Sequence, residues 1–154
     1  MLSRAYELFA DYHQFYLQDE DADGDLSDAW TDEAVANLMA VVEGAVGVGT
    51  VRNMDVPVDL EVHANEPELD AAEWDRVNEC SLSVHSGKLV IAGCTDYFPD
   101  AERIDLEPGM YRLRISYGQL KSVSVDGLHG SDHYRVQLWL GSEIIPTVIK
   151  AHDS

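Results

Sequence analysis

The densest chemistry in this chain lies in Asp19-x-Asp21-x-Asp23-Gly24-Asp25-Leu26-Ser27, four carboxylates at alternate positions with a glycine at the sixth. Hard oxygen ligands at that spacing, the chelating turn and the aliphatic residue after it match a calcium loop through its ninth position. The twelfth position, which should supply a bidentate carboxylate, is Trp30, and Tyr12 to Gln18 in front of the run alternates like a strand rather than a helix. Asp28, Asp32 or Glu33 would have to close the shell from a different geometry. Two readings stay open at this point: Asp19, Asp21, Asp23 and Asp25 hold calcium, or the segment is a solvated acidic loop.

The histidines and cysteines offer less. His129 and His133 have a spacing that binds metal on a helix, but Gly127 and Gly130 argue for a loop there. A hydrolase using His129 and Asp132 for proton transfer is a third reading. His13 shares a strand face with Phe15 and Leu17, which suits a satisfied core imidazole. No nucleophile elbow, phosphate loop or metalloprotease signature occurs, so a protein without catalysis of its own is expected. Cys80 and Cys94 flank a predicted hairpin turning at Ser86-Gly87, which pairs Val84 with Leu89 and Leu82 with Ile91. That register sets Cys80 opposite Gly93 and turns Cys94 to the other face, so two free thiols are expected.

Charge narrows the function further. Residues 1 to 77 carry 19 Asp and Glu against 3 Lys and Arg, residues 78 to 154 carry 10 against 7, and the whole chain is −19. A field of this sign repels phosphates, which argues against direct recognition of nucleic acid or of an anionic membrane surface. It speeds encounter with a positively charged protein, and a protein whose task is to hold DNA presents such a surface. The start, Met1 to Asp11, has no apolar stretch of signal-peptide length, and no segment approaches the ~20 apolar residues of a membrane span. A cytoplasmic location is the default expectation.

The elements that must position these groups are mostly strands. Apolar residues alternate in Val56-Val58-Leu60-Val62, Tyr111-Leu113-Ile115-Tyr117 and Tyr134-Val136-Leu138-Leu140, the period of half-buried antiparallel strands. Shorter candidates are 12–18, 46–52, 103–106 and 144–149. Seven to nine strands at this spacing predict a mainly β fold, an antiparallel β-sandwich forming one domain over residues 1–154. One helix is expected at about residues 31–43. Ala34, Val35, Leu38, Met39 and Val42 form its stripe, Thr31 caps it, Trp30 staples onto Val35, and Gly44 ends it. Arg112 and Arg114 point outward from one strand, and Arg135, Gln137 and Trp139 from another. If those strands are neighbours, the face is a basic patch with an exposed Trp, or it pairs internally with acids and buries Trp139; the second is favoured.

Tyr12-His13-Gln14-Phe15, then Asp28-Ala29-Trp30-Thr31-Asp32-Glu33-Ala34, then Gly44-Ala45 and Thr50-Val51-Arg52-Asn53 occur in a fixed order, with Leu128-His129 before a terminal strand. In that ordered set the chain resembles the competence protein J family, inhibitors of a nuclease of DNA uptake. The resemblance is strongest over residues 12–62 and thin between Glu66 and Gln119. It implies a small non-catalytic protein that binds and blocks a metal-dependent DNA endonuclease; related inhibitors would serve equally as immunity proteins against a nuclease toxin. The Asp19 to Asp28 loop, more acidic here than in the family pattern, is a departure. Charge and resemblance agree on an expected mechanism of occlusion: Asp19, Glu20, Asp21, Asp23, Asp25, Asp28, Asp32 and Glu33 would engage the basic DNA groove of the enzyme. His13, Trp30 and Arg52 would serve mainly as scaffold. The rival is a calcium-dependent β-sandwich binding module that uses the Asp19 to Asp28 loop.

Overall fold

The computed structural model describes residues 1–153. In chain order they form β1 (Leu2–Phe9), β2 (Gln14–Asp19), α1 (Asp32–Asn37), β3 (Met39–Val42), β4 (Ala45–Gly49), β5 (Asp55–Val62), β6 (Arg76–Val84), β7 (Lys88–Gly93), β8 (Glu102–Asp105), β9 (Gly109–Gly118), β10 (His133–Leu140) and β11 (Thr147–Lys150). Two sheets result. A six-stranded sheet runs β1-β5-β10-β9-β6-β11, and a five-stranded sheet runs β3-β4-β2-β7-β8. Pairing is antiparallel throughout except between β5 and β10, which run parallel with Val58 opposite Tyr134.

Alternation decides what lies between the sheets. From the larger sheet Val56, Val58, Leu60, Leu82, Val84, Leu113, Ile115, Tyr117, Tyr134, Val136 and Leu138 turn inward, and from the smaller sheet Phe15, Leu17, Val46, Val48, Leu89 and Ile91 meet them. An edge-on aromatic contact from Phe15 to Tyr134, with ring centroids 6.1 Å apart, joins the two layers, and Tyr117 packs edge-on against Tyr134 from the neighbouring strand at 5.9 Å. The mainly β sandwich read from the sequence is therefore the observed fold, with more strands than expected.

Four local expectations change. The Ser86-Gly87 turn does not close a hairpin: β6 pairs with β9 and β11, whereas β7 pairs with β2 and β8. The chain instead crosses from one sheet to the other at Gly87, whose φ of +76° suits a residue without a side chain. Leu82, Val84, Leu89 and Ile91 are still all buried, because they face the core from opposite layers. Cys80 lies opposite Leu113, and both thiols are free.

The helix is half its expected length. Thr31 does cap it, accepting from the Ala34 N–H at 3.2 Å, but Leu38 adopts a left-handed C-cap at φ 56° and the chain then continues as β3. Met39 pairs with Val48 and Val42 with Ala45, so residues that fit a helical stripe serve as an edge strand, and Gly44 sits in the β3–β4 turn. Strand β1, where Arg4 breaks the alternation of Leu2, Tyr6 and Leu8, pairs along β5 at the sheet edge. His13 is exposed, in a short 3-10 turn before β2 rather than on its core face.

Candidate functional site

Outer face of the smaller sheet, and the acidic segment laid on it. On β4 the outward positions are Gly47 and Gly49, between inward Val46 and Val48. A Cβ at Gly47 would stand 2.7 Å from Trp30 Cζ2, and one at Gly49 would stand 2.9 Å from Leu38 Cα. These two glycines let the segment between β2 and β3 lie directly on the sheet. Trp30 is pinned there by its Nε1–H donating to Gln14 Oε1 at 3.0 Å. It thus acts as a clamp on β2 and β4.

The eight carboxylates read as one surface are sorted by this arrangement. Asp19 continues the inward face of Phe15 and Leu17 and is fully buried at the end of β2. One of its oxygens accepts from the backbone and hydroxyl of Ser86, and the other pairs with His85 Nδ1 at 2.7 Å. It clasps the crossover between the sheets. Glu20 pairs with Arg103 Nε at 2.6 Å, and that guanidinium also donates to the carbonyls of Phe98 and Ala101. Asp21, Asp23, Asp25, Asp28, Asp32 and Glu33 are exposed and, among the described residues, have no basic partner within 4 Å. The carboxyl of Asp25 is held below the usual carboxylate range by its hydrogen bonds from Ser27. Glu43, which the sequence did not single out, joins Asp23 and Asp25 around an open groove of about 400 Å³ beside His85.

Calcium does not fit this loop as the sequence pattern would have it. The first ligand position, Asp19, is sealed inside the sandwich by Ser86 and His85, and the twelfth, Trp30, is flat against the sheet. Among the described residues no group of three or more His, Cys, Asp or Glu side chains is placed to hold a metal ion.

A second trough, of about 560 Å³, lies between Asp23, Asp25, Gln14, Tyr16 and Trp30. On the other side of Trp30 an apolar groove of about 440 Å³ is lined by Tyr12, His13, Val35 and Leu38. Val35, expected in a buried stripe, is 56% exposed, and Tyr12 is 70% exposed. Tyr12 and His13 hold φ of 56° and 59°, a left-handed conformation that costs about 1 kcal/mol or more per residue with a side chain. They are kept there by contacts at both ends. The Tyr12 N–H donates to Asp11, the Thr50 N–H to the His13 carbonyl at 2.8 Å, and His13 Nδ1 lies 3.2 Å from the Thr50 carbonyl.

Behind this groove the Thr50-Val51-Arg52 segment is tied to the far side of the molecule. Arg52 Nε pairs with the buried Asp132 at 2.8 Å, Tyr134 donates its hydroxyl to the same carboxylate at 2.6 Å, and the Val51 N–H donates to that hydroxyl oxygen. Burial and the adjacent Asp132 charge push the Tyr134 hydroxyl well above its ordinary range, so it stays a donor. Asp132 is therefore spent on Arg52 and Tyr134, while His129 lies in an exposed loop and His133 stacks on Trp74 with centroids 5.1 Å apart. No His129–Asp132 pair forms for proton transfer.

The strands of the outward arginines are neighbours, and their face pairs internally, the reading favoured from the sequence. Arg114, almost fully buried, donates to Glu79 at 2.8 Å and to the Pro67 carbonyl at 2.9 Å. Arg112 reaches the other Glu79 oxygen at 3.0 Å, and Arg135 forms a two-pronged pair with Asp70 at 2.9 and 2.6 Å. Trp139 is buried beneath Arg112 and Arg114. That leaves the acidic side as the unpaired one.

Comparison with known proteins gives a consistent frame. The model of the Competence protein J (ComJ) family matches residues 7–141. The crystal structure of ComJ from Bacillus subtilis, described as inhibitor of the DNA-degrading activity of NucA, is similar with a TM-score of 0.67 at 18% identity, covering 92% of this chain and 96% of that one. The structure named Crocagin biosynthetic gene J is similar with a TM-score of 0.58 at 15% identity, covering 92% and 100%. At these identities the likeness to the two structures is one of fold. No curated protein matches the chain.

Proposed function

The chain belongs to the competence protein J family, and on that premise we propose that it inhibits a DNA endonuclease by covering the enzyme's basic DNA groove. The solved relative whose described role is inhibition of NucA supports the direction of this reading. The observation that carries the mechanism is the set of unpaired, exposed carboxylates at Asp21, Asp23, Asp25, Asp28, Asp32 and Glu33 on one rigidly seated segment. Such a surface competes with DNA for the same cationic groove, and it raises the rate at which the two proteins meet. Asp19 and Glu20 contribute by fixing the segment at its start.

The test begins with the immobilised chain in host lysate at low salt, eluting with rising salt and assaying each fraction for DNA cleavage with and without added protein. Recovery of a basic endonuclease that the protein suppresses is the expected result. Changing Asp21, Asp23 and Asp25 together to Asn should then slow association about 10-fold at low salt and flatten its salt dependence. Association that is unchanged at low salt would reject the electrostatic mechanism, and a chain that suppresses no endonuclease would reject inhibition.

A further inference from the structure

Two neighbouring hollows on the outer face of the smaller sheet share Trp30 and Gln14. One is flanked by Asp23 and Asp25 and the other is apolar, between Tyr12 and Val35. We infer that the apolar hollow receives a basic segment of the endonuclease, one in which an aliphatic side chain neighbours an arginine or lysine, and that this contact sets how long the complex lasts. The inference rests on the inhibitor reading and gives it a second, non-ionic half.

Three features point to this groove. Tyr12 and Val35 are large apolar side chains left open to solvent, and Trp30 between the hollows is already ordered by its bond to Gln14, so little freedom is lost when they are covered. Among the described residues four non-glycine residues hold positive φ, and three of them, Tyr12, His13 and Leu38, line this groove. Backbone strain gathered at one surface hollow is a mark of recognition sites. Charge then says what fits. Asp32 lies one turn before Val35 on α1, and Asp23 and Asp25 lie beyond Trp30, so an incoming apolar anchor is met by carboxylates on its flanks. A cationic neighbour satisfies them. A second copy of this chain does not, because it would bring two surfaces of a −19 protein together.

The two halves separate kinetically. Screened charges act mainly on association, and a desolvated apolar anchor acts mainly on dissociation. The experiment uses the endonuclease recovered with the wild-type chain, at 0.15 M salt, with immobilised Tyr12→Gly and Val35→Ser variants. Both positions face solvent, and glycine suits the φ of Tyr12, so the fold is retained; Leu69→Ser, on an exposed loop residue over the opposite sheet, is the control. Dissociation about 10- to 100-fold faster in the two groove variants, with association within about 2-fold and the control unchanged, is expected. Unchanged dissociation in both groove variants, while wild type still inhibits, overturns the groove and leaves the inhibitor reading standing. A wild-type chain that sediments as a dimer, dissociated by Val35→Ser, overturns it in favour of a second copy. A wild-type chain that binds no endonuclease overturns both.

Discussion

Replacing Glu79 with Ala removes one side chain that neutralises two arginines at once. Its carboxylate meets Arg114 Nε at 2.8 Å and Arg112 Nη2 at 3.0 Å, and the Arg114 side chain is only 1% exposed. Without Glu79 the Arg114 guanidinium keeps the Pro67 carbonyl and the more distant Glu66 at 3.4 Å, a largely solvated carboxylate. Leaving a buried cation short of its partner costs about 3–5 kcal/mol, and Glu66 moves the expectation to about 3 kcal/mol. For a chain of this length that is a fall in Tm of about 6–12 °C. The double variant Glu79→Leu/Arg114→Met removes the buried charge and its counter-charge together and leaves only the more exposed Arg112 without its partner, so it should recover all but about 1 kcal/mol. Urea unfolding followed by tryptophan fluorescence measures each corner, and inhibition measured on the folded variants should be unaltered. A single-variant loss below about 1 kcal/mol, or a double variant no better than the single, would refute the view that this arginine face is an internally neutralised cushion under the 63–75 loop.

Three further outcomes are expected. Gly47→Val should cost about 1–3 kcal/mol in chemical unfolding, because its side chain would overlap the Trp30 ring, and it should weaken endonuclease binding through the displaced acidic segment; binding equal to wild type would detach Trp30 from the site. Calcium at about 5 mM should move Tm by less than about 1 °C in scanning fluorimetry, and a rise of several degrees abolished by chelator would restore the calcium-module reading. The Arg135 guanidinium, bound in two prongs, holds the Asp70 carboxyl below its ordinary range. A depressed carboxylate stabilises the fold above its unfolded pKa and loses that contribution as pH falls through the folded one, so Asp70→Asn should cost about 1 kcal/mol at pH 7 and progressively less as acid protonates the folded carboxyl, below the ordinary Asp range. A cost that persisted at low pH would point to packing instead of charge.

Alternation made β5, β9 and β10 legible, because each turns one apolar face into the core while its other face carries mostly polar side chains, even where those are also covered, and the inward residues were identified almost completely. What alternation does not encode is which layer a strand joins. Leu82, Val84, Leu89 and Ile91 are inward whether Ser86-Gly87 closes a hairpin or crosses between sheets, so the two topologies give the same pattern. The stripe through Leu38, Met39 and Val42 fits a helix and an edge strand equally, and a single left-handed residue at Leu38 decided between them. Strand β1, in which Arg4 interrupts the alternation of Leu2, Tyr6 and Leu8, gave too weak a period to register. At the site, the types of the acidic residues were readable but their accessibility was not. The parity of Asp19 with Phe15 and Leu17 did signal its inward direction. The pairing of Glu20 with Arg103 is a tertiary event between positions 83 apart, and no local pattern announces it.

The tie from Val51 and Arg52 to Tyr134 and Asp132 spans 83 and 80 positions of the chain. During vectorial synthesis, β2, the acidic segment and β4 leave the ribosome well before β10 exists to hold them. Until then the left-handed turn at Tyr12 and His13 lacks the Tyr134 hydroxyl that steadies the strand end beside it, and β5 lacks its parallel partner. Closing such distant contacts is entropically slow. A nascent chain therefore displays nearly all of its negative charge early, but the turn beside its acidic segment is tied down only when its last third has emerged.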